Sequence, residues 1–214
     1  MNVSIVDYGT GNLKSVFKGL LTAAELIKNN NKIKIKVTSN PRDILNADKI
    51  ILPGQGSYKQ CFDAIKKISG LKESLDEFVL VHKKPILGIC VGMQLFSTYG
   101  YEEKKTKGFN WIKGVVKKLK IKKKFKLPHI GWNDIKILKK NLLLKSIKNF
   151  SHFYFVHSFF FDLDDKKFVT SLVNYDIHFT SSVEKDNIFG TQFHPEKSQK
   201  KGIIILKNFL KIDS

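Results

Sequence analysis

The chain has 214 residues, of which 42% are hydrophobic, and a formal net charge of +19 at pH 7. This length and apolar content suffice for one well-packed core and argue against global disorder, and neither a membrane span of about 20 apolar residues nor a signal peptide is expected. Arg42 is the only arginine among the 38 basic residues, and because nucleic-acid surfaces usually use arginine's planar fork, the charge does not predict nucleic-acid binding.

In the first half of the chain, strand patterns alternate with helix patterns. Apolar strands are predicted at residues 3–6, 33–37, 49–52 and 86–89. Helices are predicted from residues 9–12 to about Lys28, as a short turn at 41–43, and then at 57–68, 71–83 and 93–99. Such alternation predicts an α/β protein whose central sheet is mainly parallel and flanked by helices.

After Gly100 the pattern becomes rich in strands. These are predicted around residues 115–127, 134–138, 153–156, 168–173, 179–183 and 188–192, before a last helix at 201–211. Residues 117–126 alternate apolar side chains with lysines, which predicts a strand with one buried face and one solvated lysine face. An anion-attracting surface is the alternative interpretation. No linker or repeat interrupts the pattern, so a single domain is predicted over residues 1–214.

The strand at 86–89 leads into a Gly-x-Cys-x-Gly motif formed by Gly88, Cys90 and Gly92. This is the sequence form of a nucleophile elbow, a sharp turn that presents one reactive side chain at the end of a strand. Glycines suit the turn because a Cβ would crowd it, and the first amides of the next helix favour a thiolate. A free thiol has a pKa of about 8.5, so the nucleophile also needs a base. An ordinary turn with a buried cysteine is the alternative.

A candidate base and its orienting acid follow the strand at 188–192. There, His194 and Glu196 flank a proline, so that an imidazole and a carboxylate lie two residues apart. Cys90 as nucleophile, His194 as base and Glu196 as orienting acid form a more specific signal together than either motif does alone. Cys61 lies on a helical pattern and is interpreted as a small core residue. Two cysteines with no disulfide framework predict a reducing, cytoplasmic location.

The elbow and the His-Pro-Glu-Lys-Ser segment resemble those of class I glutamine amidotransferases, whose triad runs Cys, His, Glu in chain order. Segments 7–12, 128–133 and 153–158 narrow the resemblance to glutaminase subunits of imidazole glycerol phosphate synthase, from histidine biosynthesis. The resemblance implies a flavodoxin-like fold with β-rich additions in the second half, L-glutamine as substrate, and no cofactor. No metal site is predicted, because the six histidines do not fall into ligand spacing. It also implies a heterodimer with a (β/α)8 synthase subunit, which would use the ammonia to make imidazole glycerol phosphate and AICAR.

The resemblance also assigns roles around the triad. Oxyanion donors are expected at Val91, which follows the nucleophile, and in the segment Gly54, Gln55 and Gly56. The positions that match glutamine-binding residues are Gln94, His157, Ser158 and Phe159. The positions that match the junction with the synthase subunit are Asn12, Trp132, Tyr154 and Lys197. The alternatives are a solvent-facing helix position for Gln94 and a core position for Trp132.

Three departures from the usual family pattern leave other functions open. Gln55 stands where a small apolar residue is commoner, Val91 where leucine is typical, and Phe159 where tyrosine is frequent. Segment 179–187 has a character associated with paralogues that supply ammonia for acetamidino sugars of bacterial surfaces. A catalytically silent regulatory subunit is a second alternative, against which the intact triad argues. A nucleic-acid-binding protein is a third alternative, and it is based on charge alone.

Overall fold

Thirteen strands and six α-helices lie within residues 1–27 and 33–213, which the computed structural model describes. The strands are β1 (Asn2–Val6), β2 (Lys34–Thr38), β3 (Lys49–Gly54), β4 (Ile86–Cys90), β5 (Tyr99–Gly100), β6 (Thr106–Lys107), β7 (Gly114–Lys118), β8 (His129–Ile137), β9 (Ser151–His157), β10 (Phe159–Leu163), β11 (Val169–Tyr175), β12 (Ile177–Lys185) and β13 (Ile188–Thr191). The helices are α1 (Leu13–Glu25), α2 (Pro41–Leu45), α3 (Tyr58–Lys67), α4 (Leu71–Asp76), α5 (Val91–Gln94) and α6 (Gln199–Leu210).

Nine of these strands form one mixed sheet in the order β2-β1-β3-β4-β13-β12-β11-β8-β9. From β2 to β13 all neighbours are parallel, and from β13 to β9 all neighbours are antiparallel. Helical crossovers in the first half of the chain permit parallel pairing, whereas short connections in the second half favour antiparallel pairing. The α/β class is confirmed, and the β-rich second half adds an antiparallel extension to the parallel strands.

A second, smaller sheet has the order β10-β7-β5-β6. Its longest pairing joins β10 to β7 in antiparallel register, with Phe161 opposite Val116. The sequence analysis did not predict β10, whose Phe-Phe-Phe run has no alternation to mark it as a strand. The turn between β9 and β10 lies beside the large sheet, and its residue Ser158 accepts a hydrogen bond from the Leu119 amide at 2.9 Å.

The parallel strands at the middle of the large sheet are apolar except for Lys49, the first residue of β3. Every residue of β3 and of β4 is buried, as expected for strands that are covered on both faces. Antiparallel β9 instead alternates between buried and less buried residues. None of the helices in the described ranges has the length and apolar character that a membrane span requires. The single-domain prediction stays a prediction.

Most predicted helices are present, and α1, α2 and α3 begin with side-chain caps. Asn12 caps α1 through its Oδ1, which accepts from the Ser15 amide at 3.3 Å, and α3 begins with a reciprocal capping box between Ser57 and Gln60. Helix α1 ends at Glu25, and the predicted end near Lys28 lies outside the described residues. The predicted helix at 71–83 is α4 followed by a π-helical turn over Glu77–Val81.

The prediction of a helix at 93–99 was wrong. Helix α5 covers only Val91–Gln94, and the chain then turns into β5. The carbonyls of residues 95–97 accept hydrogen bonds from amides within residues 109–112, at 2.8, 2.9 and 3.1 Å. These contacts with a distant segment replace the bonds that a continuing helix would need, so the helix stops after one turn.

The prediction of one long strand around 115–127 was also wrong. Strand β7 ends at Lys118, and the following residues form a loop. The amide of Lys122 donates to the carboxylate of Asp176 at 2.8 Å, and the amide of Lys126 donates to the Tyr175 hydroxyl at 3.3 Å. Because these amides bond to side chains rather than to a neighbouring strand, no ladder forms. The lysines at the even positions from 118 to 126 are exposed, as predicted.

Candidate active site

Cys90 is the last residue of β4 and adopts a backbone conformation that is unusual for a residue with a side chain, with φ at +55° and ψ at −113°. The turn is sterically closed around it. A Cβ on Gly92 would lie 1.9 Å from the carbonyl oxygen of Leu52, and a Cβ on Gly88 would lie 2.6 Å from the amide nitrogen of Met93. Both glycines are therefore required by close backbone approach, which gives the motif the geometry of a nucleophile elbow.

His194 and Glu196 lie just beyond the neighbouring strand β13, which pairs with β4 so that Thr191 is opposite Ile89. The Nδ1 of His194 is 2.8 Å from Oε1 of Glu196, and the two side chains are 6% and 1% exposed. A carboxylate can only accept, so Nδ1 carries the proton and Nε2 is left for another group. Within the described part of the chain, this Nε2 and Oε2 of Glu196 are buried without hydrogen-bond partners.

The charge state of His194 is set by opposing effects. Burial alone lowers the pKa of His194, but the neighbouring Cys90 and Glu196 together raise its pKa to about 10. At neutral pH the imidazole is therefore a cation next to Cys90, although Nε2 and the Cys90 sulfur make no hydrogen bond. A protonated imidazole beside a nucleophile is an acid that can protonate a leaving group.

Two glutamine side chains lie beside the nucleophile. The Nε2 of Gln192 donates to the Cys90 sulfur at 3.6 Å, and Gln94 Nε2 donates to Oε1 of Gln192 at 2.9 Å. The same Gln94 nitrogen donates to the carbonyl oxygen of Phe159 at 2.9 Å. Gln94 is 2% exposed, so the solvent-facing alternative was wrong. Sequence analysis missed Gln192, whose one signal was its place two residues before His194.

A chain of hydrogen bonds through two buried imidazoles also ends at the carbonyl oxygen of Phe159. His157 Nδ1 lies 2.9 Å from the oxygen of Phe159, His129 Nδ1 lies 3.2 Å from His157 Nε2, and Asn133 Nδ2 lies 3.3 Å from His129 Nε2. A carbonyl can only accept, so each group donates to the next and both tautomers are fixed. Burial lowers the pKa of His157 to about 3 and that of His129 to about 4, so both imidazoles are neutral.

A cavity of about 160 Å³ opens above Cys90. Its wall contains the expected oxyanion and glutamine-binding positions, namely Gly54, Gln55, Gly56, Val91, Gln94, His157, Ser158 and Phe159. Gly54 is opposite Cys90 in the pairing of β3 with β4, which brings the oxyanion segment next to the nucleophile. The structure thus gathers these predicted residues in one place, and their individual roles stay predictions.

Two oppositely charged side chains, Glu102 and Lys197, line the same cavity. Sequence analysis missed Glu102, which lies in the loop after β5. Its Oε2 accepts from the Tyr58 amide at 2.7 Å, and burial raises the pKa of this carboxyl. Its neighbour Glu103 instead accepts from the Ser57 hydroxyl at 2.8 Å. The only sequence signal was a pair of acidic residues in a lysine-rich region.

The residues predicted at a partner junction form two groups. Trp132, Tyr154 and Lys197 are close together, with 6.1 Å between the two ring centroids and 5.8 Å between the Lys197 Nζ and the Tyr154 ring. Trp132 is 47% exposed, so the alternative of a core aromatic was wrong. Asn12 lies at the start of α1, where its side chain caps the helix. In the described ranges, no group of three His, Cys, Asp or Glu side chains is arranged to hold a metal ion.

Comparisons with known proteins agree with this geometry. A family model described as Glutamine amidotransferase class-I matches residues 4–212. A Pelagibacter ubique protein named imidazole glycerol phosphate synthase subunit HisH is 52% identical over 213 residues, which cover 99% of this chain and 100% of the relative. A Campylobacter jejuni protein named imidazole glycerol phosphate synthase subunit HisH 1 is 46% identical over 210 residues, covering 98% and 100%. The solved structure of PurLQS from Thermotoga maritima has a TM-score of 0.71 at 18% identity, covering 98% of this chain and 97% of that one.

Proposed function

The chain belongs to the class I glutamine amidotransferases, and on that premise we propose that it is the glutaminase subunit of imidazole glycerol phosphate synthase. In that role it hydrolyses L-glutamine and supplies ammonia for histidine biosynthesis. The observation that carries the chemistry is the His194–Glu196 pair beside a Cys90 held at positive φ. The names of the relatives do not favour the acetamidino-sugar alternative, and the complete triad argues against a silent subunit.

The geometry supports a two-step hydrolysis. The Cys90 sulfur attacks the side-chain carboxamide of glutamine, and a new C–S bond forms while the C–N bond breaks. His194 takes the proton of the Cys90 thiol and gives it to the departing nitrogen, which leaves as ammonia. It then takes a proton from the water that opens the thioester and returns it to the sulfur. Glu196 holds the imidazole in the required tautomer and stabilises its cationic form. Glutamate and the free thiol are then released.

The oxyanion of each tetrahedral intermediate needs two donors. The amide of Val91 is one, because it follows Cys90 at the start of α5. The second comes from the segment Gly54, Gln55 and Gly56, which lines the cavity next to Cys90. Loss of one such donor lowers the rate by about 10²–10³. Placement of this segment therefore has a large effect on the rate.

The charges at the cavity suit a free amino acid, which is a zwitterion. We assign the α-ammonium group of glutamine to Glu102, the cavity-lining carboxylate outside the triad pair. Glu102→Gln should raise KM for glutamine about 10-fold and leave kcat within about 2-fold, because the lost charge contacts substrate and transition state equally. Glu103→Gln is the matched control, since its carboxylate bonds to Ser57 instead. Rates of glutamate release against glutamine concentration measure both, and an unchanged KM in Glu102→Gln would remove the assignment.

The group of Trp132, Tyr154 and Lys197, in which Trp132 is exposed and the other two are half-buried, supports a partner on the same side as the cavity. Lys197 lines the cavity and also lies over the Tyr154 ring, which connects the site to this surface. We assign the surface to a (β/α)8 synthase subunit in a heterodimer, with no nucleic acid or membrane as partner. Protonated ammonia is not a nucleophile, so direct transfer away from bulk water preserves the product. The cytoplasmic location stays a prediction.

The proposal is tested by glutamate release from glutamine. The purified subunit is assayed alone and with the (β/α)8 synthase subunit from the same cell, with and without the nucleotide substrate of imidazole glycerol phosphate formation. We expect strong stimulation by partner plus nucleotide, and its complete loss in Cys90→Ala. If no stimulation occurs while Cys90 still reacts with an electrophilic glutamine analogue, the histidine-pathway assignment is wrong and the sugar pathway becomes the candidate. If Cys90 does not react either, the subunit is catalytically silent.

A further inference from the structure

The oxyanion segment follows from β3, and one side of it faces away from Cys90 toward β1. The hydrogen bonds on that side take no part in the triad chemistry. Strand β3 lies between β4, which carries Cys90, and β1 on the other side. The pairing of β1 with β3 ends where Ile5 is opposite Ile51. Beyond that point, the carbonyl groups at the end of β3 need other hydrogen-bond partners on the β1 side, because buried backbone groups are seldom left unpaired. Two side chains supply them.

The first partner is Tyr8, which follows β1. Its hydroxyl donates to the carbonyl oxygen of Pro53, and the side chain is only 3% exposed. Burial raises the pKa of Tyr8 well above its ordinary value, so the phenol keeps its proton and remains a donor. The Pro53 oxygen belongs to the peptide plane between residues 53 and 54. The Tyr8 hydroxyl therefore holds that plane in one orientation.

The second partner is Cys61 on α3, the cysteine that sequence analysis interpreted as a core residue. Its thiol donates to the carbonyl oxygen of Gln55 at 3.4 Å, and its sulfur lies 3.6 Å from the hydroxyl of Thr10. Burial raises the pKa of this thiol, which therefore stays protonated. Because the carbonyl can only accept, the thiol proton points to Gln55 and the Thr10 hydroxyl donates to the sulfur. The peptide plane between residues 55 and 56 is held in this way.

The peptide plane between Gly54 and Gln55 lies between these two anchors. The amide of Gln55 makes no hydrogen bond with any residue in ranges 1–27 and 33–213. Gly54 itself is packed against the elbow, since a Cβ there would lie 2.3 Å from the Gly92 amide nitrogen. The Gly54–Gln55 peptide is thus the one of the three that neither Tyr8 nor Cys61 holds. Its amide is available as an oxyanion donor.

We propose that Tyr8, Thr10 and Cys61 form a clamp of positioning residues that holds the outer peptide planes of the oxyanion segment and leaves the Gly54–Gln55 plane to supply the donor. The inference rests on the proposed function, because the clamp acts only on glutamine hydrolysis. It assigns to Cys61 a hydrogen-bonding role that a small apolar core residue could not fill.

The clamp also connects the oxyanion segment to the surface loop between β1 and α1. Thr10 belongs to that loop, and a Cβ on the adjacent Gly11 would lie 3.4 Å from the Pro53 Cβ. Asn12, which is predicted to contact the partner, is the next residue and caps α1. The loop therefore lies next to the Cys61 sulfur and the Pro53 ring.

Tyr8→Phe tests the clamp in the complex with the (β/α)8 subunit. We expect kcat for glutamine hydrolysis to fall by about 10-fold or more with KM within about 2-fold, because a misplaced oxyanion donor weakens transition-state binding alone. Tyr58→Phe is the matched control. Tyr58 is as deeply buried, at 1% exposure, but its hydroxyl pairs with Ser97 at 2.9 Å, so this variant should match the stability loss and keep kcat.

A second measurement separates the oxyanion segment from the nucleophile. Alkylation of Cys90 by iodoacetamide is a displacement at a saturated carbon and forms no oxyanion, so its rate should be unchanged in Tyr8→Phe. Cys61→Ala should lower kcat, whereas Cys61→Ser, which keeps a donor, should restore it toward the wild-type value. These variants of Cys61 keep the test available if Tyr8→Phe does not fold.

The outcomes are distinguishable. An unchanged or higher kcat in folded Tyr8→Phe, with an active wild-type complex, overturns the clamp and leaves the proposed function intact. An alkylation rate that falls in parallel with kcat also overturns it, because the damage then lies at Cys90. A wild-type complex that releases no glutamate overturns the proposed function and, with it, the clamp.

Discussion

The parallel and antiparallel halves of the large sheet hold their functional residues by different means. In the parallel half, Cys90 is positioned by backbone packing, with Gly88 and Gly92 too close to neighbouring atoms to accept a side chain. In the antiparallel half, His129 and His157 are positioned by hydrogen bonds between buried polar groups. Steric positioning is indifferent to pH, whereas a hydrogen-bonded chain depends on which atoms carry protons.

A similar contrast extends beyond the site. Strands β3 and β4 bury almost only apolar residues, while β11 and β12 bury a cluster of hydroxyls. In that cluster, Thr170 pairs with Ser182 at 2.6 Å and Ser171 pairs with Ser181 at 2.6 Å. Buried polar groups of this kind are stable only while each has its partner. We therefore expect the parallel half to be destabilised by substitutions that cause steric clashes. The antiparallel half should be destabilised by changes that remove hydrogen bonds.

The largest effect is expected from Gly92→Ala, which tests the steric half. The new Cβ would lie 1.9 Å from the Leu52 carbonyl oxygen, a backbone atom that cannot move away without displacing β3. We expect the free energy of unfolding to fall by about 4 kcal/mol or more, at the upper end for single substitutions. Urea denaturation followed by circular dichroism measures this.

Gly19→Ala in α1 is the control for that experiment. Its Cβ would meet the end of the Leu206 side chain at 2.9 Å, and a flexible side chain can turn aside. Alanine also favours a helix over glycine by about 1 kcal/mol, so the net change should stay within about 1 kcal/mol. Equal losses in the two variants would contradict the steric account of the elbow.

An intermediate effect is expected from acid, which tests the hydrogen-bonded half. The native pKa values of His157 and His129 are lowered to about 3 and about 4, against about 6.5 in the unfolded chain. Above pH 6.5 neither histidine affects stability. Between about pH 6.5 and 4 the unfolded state binds protons that the native state does not, so the free energy of unfolding falls by about 1.4 kcal/mol per pH unit for each histidine.

Urea unfolding at pH 7, 6 and 5 measures this slope. His194 has the opposite sign, because its pKa is raised to about 10 in the native state and only the unfolded state takes up a proton there between pH 7 and 6. Its stabilising effect is fully present below about pH 6.5 and offsets part of the loss between pH 7 and 6. His129→Gln should make the slope shallower by the share of one histidine, whereas His178→Gln, at an exposed position, should leave it unchanged. An identical slope in all three proteins would remove the histidine pair as its origin.

The smallest effect is expected in the lysine-rich loop between β7 and β8. This loop is positioned neither by close backbone packing nor by a buried chain of hydrogen bonds. Lys124→Ala removes an exposed side chain and should change the free energy of unfolding by about 0.5 kcal/mol or less. Lys122→Ala should be as mild, because the backbone amide of Lys122 anchors the loop to Asp176 and the ion pair of its exposed Nζ with the same carboxylate, at 4.0 Å, contributes little. A loss above about 1 kcal/mol in either variant, measured by urea denaturation, would show that the loop carries structure beyond these bonds.

What could be predicted from the sequence was mostly local. The buried strands, the α/β class and the family followed from apolar runs and short motifs, and the structure brings Cys90, His194 and Glu196 to adjacent strand ends as expected. The elbow was readable because its geometry depends on glycines within two residues of the cysteine. In motifs of this kind, the residues that determine the geometry are close together in the sequence, so a single sequence is enough to identify them.

The missed features depend on contacts between distant segments. Glu102 reaches the cavity because its carboxylate caps the Tyr58 amide, 44 residues away in the chain. Helix α5 is short because the carbonyls of residues 95–97 accept hydrogen bonds from amides within residues 109–112. No local sequence pattern indicates these bonds. The clamp at Cys61 was likewise invisible, since a cysteine on an apolar helix face usually packs as a small hydrophobe. Tertiary contacts of this kind override local propensity.

The carbonyl oxygen of Phe159 is the point where two hydrogen-bond chains end, one through Gln94 and one through His157. It is a main-chain atom, so every amino acid at position 159 presents the same acceptor. In a library of single substitutions, position 159 would therefore tolerate exchange among large apolar residues, while the donors at 94 and 157 would not. This acceptor, which receives two hydrogen bonds, is thus positioned by the path of the chain between β9 and β10. A scan of side-chain substitutions would therefore not reveal its role.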